Sequence, residues 1–178
     1  CTVKTTGSKT RDHNARLFAE CDVIIFAVPL AQSVQIIDEE IVHATRDDQL
    51  ILDVSSLKAP QIDAMMKGAG EIIGMHPLFA PTTEHEGQTI ILCPGRCKEE
   101  TLASVQQFFS ALGIQQKIMD APEHDKLMSL LQVLPHVKSL LMADVIQKIG
   151  GGVIETLDST ATPAYRIELN LVGRFLDD

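Results

Sequence analysis

The 178-residue chain is 45% apolar and 22% charged, which is typical of a packed globular protein and allows one or two domains. Its formal net charge of -9 disfavours nucleic acid and anionic membranes as partners, since both bind through a basic face. No run approaches the roughly 18 apolar residues of a membrane span, and the first residues lack the apolar core of a signal peptide, so we expect a cytoplasmic protein.

The four cysteines, Cys1, Cys21, Cys93 and Cys97, form no CxxC pair and have no histidine nearby at the spacing of zinc ligands. We therefore expect reduced structural thiols and no metal site. The chain begins with Cys1 rather than Met, in a polar stretch that leads directly into a helix-to-strand pattern. We expect that a segment precedes it in the natural protein.

The first part of the chain predicts strands that alternate with helices. Residues 12–21 indicate a short helix, and after Asp22 the continuous β-branched and apolar run VIIFAVPL indicates a strand buried on both faces. Helical spacing follows over 32–44. LILDVSS is a second buried strand, and Pro60 begins a helix that reaches Met66.

Three further strands and one helix are predicted before residue 120. EIIGMHPLF and TIILC are apolar strands, KEETLASVQQFFSALG is an amphipathic helix that ends at Gly113, and QQKIMD is an edge strand. Strands that alternate with helices at this spacing predict an α/β fold with a doubly wound, Rossmann-type parallel sheet over residues 1–120.

From Ala121 onward the pattern is helical. A long helical stretch contains Pro135, where we expect a kink, and PAYRIELNLVGRFL is a second long helix with Pro163 in its first turn. The predicted boundary near 120–122 leaves an all-helical domain over 121–178. Because its helices are apolar on more than one face, we expect this domain to form a homodimer.

Ligands of open parallel sheets bind outside the carboxyl ends of the strands. His76 follows a buried strand directly and precedes Pro77, which fixes the backbone, so this is a suitable position for a general base. A hydrogen-bonded loop histidine without a role is an equally good interpretation. After the preceding strand, Ser55, Ser56 and Lys58 form a polar cluster with Asp53, suited to a cofactor or substrate, although helix capping by serine explains part of it.

The helical domain offers further polar candidates. Gln132 and His136 are four residues apart and share one face of an otherwise apolar segment. Arg166 and Arg174 lie on the last helix, where two guanidinium groups beside an apolar face are suited to bind a carboxylate. The alternative for the arginines is a solvated face or structural ion pairs with Glu168 or Asp177.

Six strings, in this order and at this spacing, resemble the prephenate/arogenate dehydrogenase family of NAD(P)-dependent enzymes in tyrosine biosynthesis. They are VIIFAVPL, DVSSLKAP, GMHPLFAP, APEHDKLM, LLQVLPH and TPAYRIELNLVGRFL, and together they cover essentially the whole chain. The resemblance implies a dinucleotide-binding domain followed by an all-helical domain that contacts substrate and dimerises. It also implies a small-molecule substrate, and neither nucleic acid nor a membrane as partner.

The resemblance also implies roles for individual residues. His76 in HPLF corresponds to the catalytic histidine, and Ser56 to an active-site serine that also borders the cofactor. The residues implied to bind substrate are His136, Gln132, Arg174, Arg166 and His124. The residues implied to border the cofactor, at the strand ends, are Val28, Pro29, Asp53 and Ser56.

The chain departs from the family pattern in two ways. Ala80 stands where the family usually has glycine, and no G-x-G-x-x-G loop for the dinucleotide pyrophosphate occurs anywhere in the chain. We therefore expect residues 1–120 to be the second half of a cofactor domain whose first part lies upstream, and the helical domain to continue beyond Asp178. The expected cofactor is NAD, with NADP as the alternative.

The implied reaction is the oxidative decarboxylation of prephenate to 4-hydroxyphenylpyruvate. Arogenate, which carries an amino group in place of the side-chain keto oxygen, is the alternative substrate. A different interpretation is a non-catalytic remnant that binds aromatic ligands, and a further one is another hydroxy-acid or imine reductase of the doubly wound type.

Overall fold

The computed structural model describes residues 2–7, 10, 13–149 and 154–177, without the side chains of 154, 155, 158 and 174–177. Its contacts divide the chain into two compact units, Cys1–Asp125 and Lys126–Asp178, called here the first and second units. The predicted domain boundary lies near 120–122. The predicted start of the first helix, at residue 12, lies outside the described residues.

The first unit contains five strands and four α-helices among its described residues, a fifth α-helix begins near its end, and a 3-10 turn (Ile41–His43) follows the second α-helix. The elements are α1 (Asn14–Glu20), β1 (Val23–Phe26), α2 (Leu30–Glu40), β2 (Leu50–Asp53), α3 (Ala59–Met65), β3 (Glu71–Pro77), β4 (Thr89–Pro94), α4 (Glu99–Ala111), β5 (Gln115–Ile118) and α5 (Ala121–Met128). The strands form one sheet in the order β1-β2-β3-β4-β5, with β5 at an edge as predicted.

The sheet is mixed, so the prediction of a parallel sheet is wrong at one pairing. β1, β2 and β3 are parallel, but β4 runs antiparallel to β3, with His76 opposite Ile91, and β5 is parallel to β4. A parallel crossover requires a connection of a dozen or more residues, usually a helix. Residues 78–88, which join β3 to β4, contain only turns and bends, so the chain reverses there.

One face of the sheet carries the main hydrophobic core. Leu52, Ile73, Met75, Ile90 and Leu92 alternate along their strands with residues of the other face, and they pack with Val105 of α4 and with Ile114. Burial of each such side chain contributes about 1.5–3 kcal/mol. The helix that covers this face ends as the sequence predicted, because Gly113 takes a φ of 72° just beyond it.

Helix α3 packs against the opposite face, where the sheet has glycine instead of a side chain. A Cβ atom at Gly74 would lie 3.0 Å from Cδ1 of Ile62 and 3.0 Å from Cδ of Lys58. Glycine is required there because helix and sheet approach closely.

Strand β1 is less buried than its apolar sequence predicts. Val23 is 50% exposed and Ile25 is 54% exposed on one face of the strand, whereas Phe26 on the other face is buried. The prediction of a strand buried on both faces is therefore wrong for β1.

The second unit is helical in its described residues. A π-helical segment (Ser129–Val133) leads into α6 (Leu134–Ile149), and α7 (Ile154–Thr160) and α8 (Pro163–Asp177) follow. The π-helical segment ends two residues before Pro135, which has no amide hydrogen to donate to the preceding turn. The kink expected at Pro135 stays a prediction. Helix α7 was not expected from the sequence.

The helical run Ala121–Ile149 has the length and apolar composition that crossing a membrane requires. Soluble proteins bury helices of the same kind in cores and interfaces. Length and composition alone therefore do not distinguish a membrane-spanning helix from a helix of a protein core or interface.

Candidate active site

The candidate site lies at the edge of the sheet where β1, β2 and β3 end. Val28 and Pro29 follow β1, Ser56 follows β2, and His76 lies near the end of β3. Because these three strands are parallel, their carboxyl ends meet at one edge. Pro29 and Ser56 are exposed, whereas Val28 is half-buried. The structure thus places four of the predicted site residues along one border of the sheet.

His76 is buried at this border, with 3% of its surface exposed. Its Nδ1 atom lies 2.8 Å from Nε2 of His124, and the two rings meet edge to face with centroids 5.0 Å apart. His124 is fully buried. The structure therefore places the predicted substrate-binding residue His124 behind His76.

Asp125 continues this hydrogen-bonded series. Nδ1 of His124 lies 2.8 Å from Oδ1 of Asp125. The same carboxylate accepts hydrogen bonds from the backbone amides of Lys58 and Ala59, each at 2.9 Å. These amides begin α3 and have no partner within that helix, so Asp125 provides the acceptor they need.

The sequence before α5 explains why His124 and Asp125 occur at this place. Asp120 accepts a hydrogen bond from the backbone amide of Glu123 at 2.7 Å, which is the side-chain cap of a helix N-terminus. Pro122 follows in the first turn, where its missing amide hydrogen does no harm. The string DAPEHD thus starts a helix whose first turns place His124 against His76 and Asp125 against the start of α3.

A buried ion pair lies beside the histidines. Nζ of Lys58 is 2.6 Å from Oδ2 of Asp53 and 2.8 Å from the backbone oxygen of Met75, and both charged side chains are almost fully buried. Ser55 donates to the same carboxylate oxygen from its backbone amide at 3.0 Å and from its hydroxyl. Asp53 therefore holds Lys58 and the turn after β2, and its carboxylate is not presented to a ligand at the border.

Burial sets the protonation states of these groups. It lowers the pKa of His76 to about 4, with the neighbouring His124 and Lys58 acting in the same direction and Asp125 opposing them. Burial acts to raise the pKa of Asp125, but the hydrogen bonds from Ala59, His124 and Lys58 outweigh it and lower that pKa. At neutral pH the site therefore holds a neutral His76 and an ionised Asp125.

Neither a thiolate nor a metal ion is indicated in the described part of the chain. Burial raises the pKa of Cys93 to about 12, so its thiol stays protonated. No group of three or more His, Cys, Asp or Glu side chains among the described residues is arranged to hold a metal ion. The chemistry that this arrangement supports is proton transfer by His76.

The remaining predicted residues lie in the second unit. Nδ1 of His136 donates to the backbone oxygen of Gln132, which is half-buried in the π-helical segment. Arg166 is exposed in the first turn of α8. Glu168, named as an alternative ion-pair partner for the arginines, pairs with Lys138 at 2.7 Å. Arg174 lies on α8, but its side chain is outside the described part of the structure.

Two contributions to the site were not expected from the sequence. Asp125 received no role, although it follows His124 directly, and a carboxylate beside a histidine is a usual sign of an oriented imidazole. The pairing of Lys58 with Asp53 was not foreseen either, because two polar residues after a strand do not reveal whether they contact each other or a ligand.

The fold and the position of the site define the class of protein: an α/β domain of the doubly wound, dinucleotide-binding type. Residues 4–117 match the family model of the prephenate dehydrogenase nucleotide-binding domain. The chain therefore belongs to the prephenate dehydrogenase family, a family of oxidoreductases, and the resemblance found in the sequence is confirmed.

Relatives and solved structures agree with this assignment. The chain is 25% identical to a probable arogenate/prephenate dehydrogenase of Methanocaldococcus jannaschii, over 97% of this chain and 40% of that protein. Synechocystis arogenate dehydrogenase has the same fold, with a TM-score of 0.67 at 17% identity over 90% of this chain and 61% of that one. Prephenate dehydrogenase from Aquifex aeolicus, in complex with hydroxyphenyl propionate and NAD+, has a TM-score of 0.63 at 18% identity over 92% of this chain and 67% of that one. The chain spans less than half the length of the curated relatives it matches.

Proposed function

We propose that this chain supplies the catalytic base of an NAD-dependent prephenate dehydrogenase, which oxidises and decarboxylates prephenate to 4-hydroxyphenylpyruvate. The observation that carries the proposal is His76, a neutral imidazole held at the carboxyl end of β3 by a hydrogen-bonded partner. Arogenate is the alternative substrate, because the two differ only at the side chain, and NADP is the alternative cofactor.

In the proposed reaction His76 handles the proton of the ring hydroxyl. As C4 loses its hydride and becomes a carbonyl carbon, Nε2 of His76 accepts the hydroxyl proton, since Nδ1 is bonded to His124. Loss of carbon dioxide from C1 then sends an electron pair through the ring to the same oxygen. His76 returns the proton there, so that the imidazole ends the cycle neutral.

The border of the sheet suits part of a nicotinamide dinucleotide, whose chemistry is to take up the hydride. The exposed turn at Pro29 and the exposed Ser56 follow parallel strands, which is where such cofactors bind. Asp53 does not fit this role, because it is buried and its Oδ2 atom already accepts hydrogen bonds from Lys58 and Ser55. No G-x-G-x-x-G loop occurs in the chain, so the pyrophosphate is not assigned to any residue here.

For the second unit we propose substrate binding and dimerisation. Gln132, His136, Arg166 and Arg174 are the proposed substrate contacts, with Arg174 receiving a carboxylate. The support is their match to the family motifs. The support for a homodimer is that α6 exposes large apolar side chains, with Leu141 63% exposed. We further propose a cytoplasmic location, supported by the free thiols of Cys21, Cys93 and Cys97.

The test is His76→Asn in the full natural chain, assayed with prephenate and arogenate and with NAD and NADP. We expect turnover to fall by about 10²–10⁴ with a small change in the Michaelis constant, because asparagine cannot take up the proton. In the parent, the acidic limb of kcat/KM should lie near the lowered pKa of about 4, and the variant should lack it.

His43→Asn is the matched control. His43 follows α2 at the opposite end of the strands, where its ring meets the ring of Phe18 with centroids 6.0 Å apart. Its turnover should equal that of the parent. Near-parental turnover of His76→Asn, with an unchanged acidic limb, would remove His76 as the base.

A further inference from the structure

We propose that His124 and Asp125 are positioning residues that hold His76 in the tautomer with its proton on Nδ1 and its lone pair on Nε2. This inference rests on the proposed role of His76 as the base. It gives His124 a place behind the imidazole rather than a contact with substrate, and it gives Asp125 a function in the reaction.

The direction of the hydrogen bond between Asp125 and His124 follows from the ionisation of Asp125. The carboxylate accepts from the amides of Lys58 and Ala59 and is ionised at neutral pH, so it has no proton to donate. Nδ1 of His124, at 2.8 Å from Oδ1, must therefore be the donor. A neutral His124 with its proton on Nδ1 carries its lone pair on Nε2.

The hydrogen bond between the two histidines then determines which nitrogen of His76 carries the proton. Nε2 of His124 lies 2.8 Å from Nδ1 of His76, and with a lone pair on the former the latter must carry the proton. The neutral His76 ring then has its lone pair on Nε2, which is the atom the proposed reaction requires. Free imidazole side chains favour the opposite tautomer, so a partner at Nδ1 is needed to select this one.

His76 becomes positively charged when it takes up a proton from the proposed substrate. The titratable groups that face it are His124, Lys58 and Asp125. Lys58 disfavours an imidazolium, whereas the ionised Asp125, reached through His124, favours it. The series therefore stabilises the protonated base and keeps its Nδ1 proton bonded throughout the cycle.

The geometry is fixed by elements on both sides. Asp125 bonds two backbone amides at the start of α3, and Asp120 caps the first turn of α5. His124 is fully buried between its two partners. The positioning residues are thus held by the backbone of two helices, as preorganised support of a catalytic group requires.

The test reads the tautomer directly, by nitrogen-15 NMR of histidine-labelled protein in its full natural chain at pH 7. His76→Asn identifies the signals of His76. We expect the parent to show a protonated Nδ1 and an unprotonated Nε2 at His76. A proton on Nε2 of His76, or a doubly protonated His124 that donates to it, would overturn the inference without any variant.

Two substitutions at His124 then separate positioning from packing. In His124→Leu the acceptor is lost, so His76 should change tautomer and turnover should fall by about 10²–10⁴ with little change in the Michaelis constant. His124→Gln places an amide oxygen where Nε2 was, so it should keep the parental tautomer and recover most of the turnover. Both leave Asp125 bonded to α3.

The outcomes distinguish this inference from the proposed function. If His124→Leu keeps both tautomer and turnover, or if leucine and glutamine are equally harmful with the tautomer unchanged, His124 has only a packing role. If His76→Asn keeps its turnover while the parental tautomer is as expected, the proposed function fails and the series has no catalytic role. A His124→Leu chain that does not fold leaves the parental spectrum and His124→Gln to decide.

Discussion

Replacing Asp53 by asparagine should strongly destabilise the first unit. The substitution keeps the size of the side chain but removes the charge that compensates Lys58, which is fully buried. Nζ of Lys58 would keep its bond to the backbone oxygen of Met75 and lose the charged partner now at 2.6 Å. Removing one partner of a buried pair typically costs about 3–5 kcal/mol, because an uncompensated charge remains.

The loss in the free energy of unfolding has an upper limit, because Lys58 can release its proton and become neutral in the variant. Deprotonating an ordinary lysine with a pKa of about 10.4 at pH 7 costs about 1.4 kcal/mol per pH unit, or about 5 kcal/mol. Burial already lowers the pKa of Lys58, against the opposing effect of Asp53, so the actual limit is smaller. We expect a loss of about 3–4 kcal/mol, a large part of the roughly 5–15 kcal/mol of a typical domain.

The assay is urea unfolding at pH 7, followed by circular dichroism. Asp63→Asn is the matched control, because Asp63 is exposed on α3 and should change the free energy of unfolding by less than about 0.5 kcal/mol. Adding Lys58→Met to Asp53→Asn should recover part of the loss, since an apolar side chain needs no counter-charge. A loss below about 1 kcal/mol in Asp53→Asn would refute the reasoning.

Two further predictions concern packing. Gly74→Ala should destabilise the first unit by about 1–3 kcal/mol in the same assay, because its Cβ would lie 3.0 Å from both Ile62 and Lys58; an unchanged midpoint would show that α3 can move away. The full natural chain should be a dimer by light scattering at micromolar concentration, and Leu141→Glu on the exposed face of α6 should weaken the dimer, whereas a monomeric parent would contradict the proposal.

The sequence indicated the position of the site better than the construction of the sheet. Apolar strands that end in AVPL, DVSS and HPLF were recognisable, because apolar runs and their polar ends are local features. The direction of β4 was not, since it depends on how residues 78–88 reverse the chain. A strand has the same apolar pattern in either direction, and only the connection separates the two cases.

Side-chain partners were harder still to predict. Asp53 and Lys58 look like ligand-binding residues in the sequence, yet they neutralise each other in the interior. Asp125 looks like an ordinary residue of a surface helix, yet it bonds the start of α3 and orients His124. The bonds of Asp125 to α3 span 66 or 67 positions of the chain, which local spacing does not encode. Asp53 and Lys58 are only five positions apart, but their spacing does not reveal that they face each other in the interior.

The low pKa of His76 needs to be reconciled with its proposed work. A base with a pKa of about 4 is neutral throughout the physiological range, but it binds a proton weakly. The proposed substrate can give its proton even to such a weak base. As its carbon loses a hydride, the hydroxyl group turns into a protonated carbonyl, and the proton on that oxygen is strongly acidic. Weak binding also favours the return step, in which His76 must give the proton back to the phenolic oxygen. A base with a pKa nearer 7 would hold that proton more tightly. Burial beside Lys58 therefore suits a group that must accept a proton and release it again within one catalytic cycle.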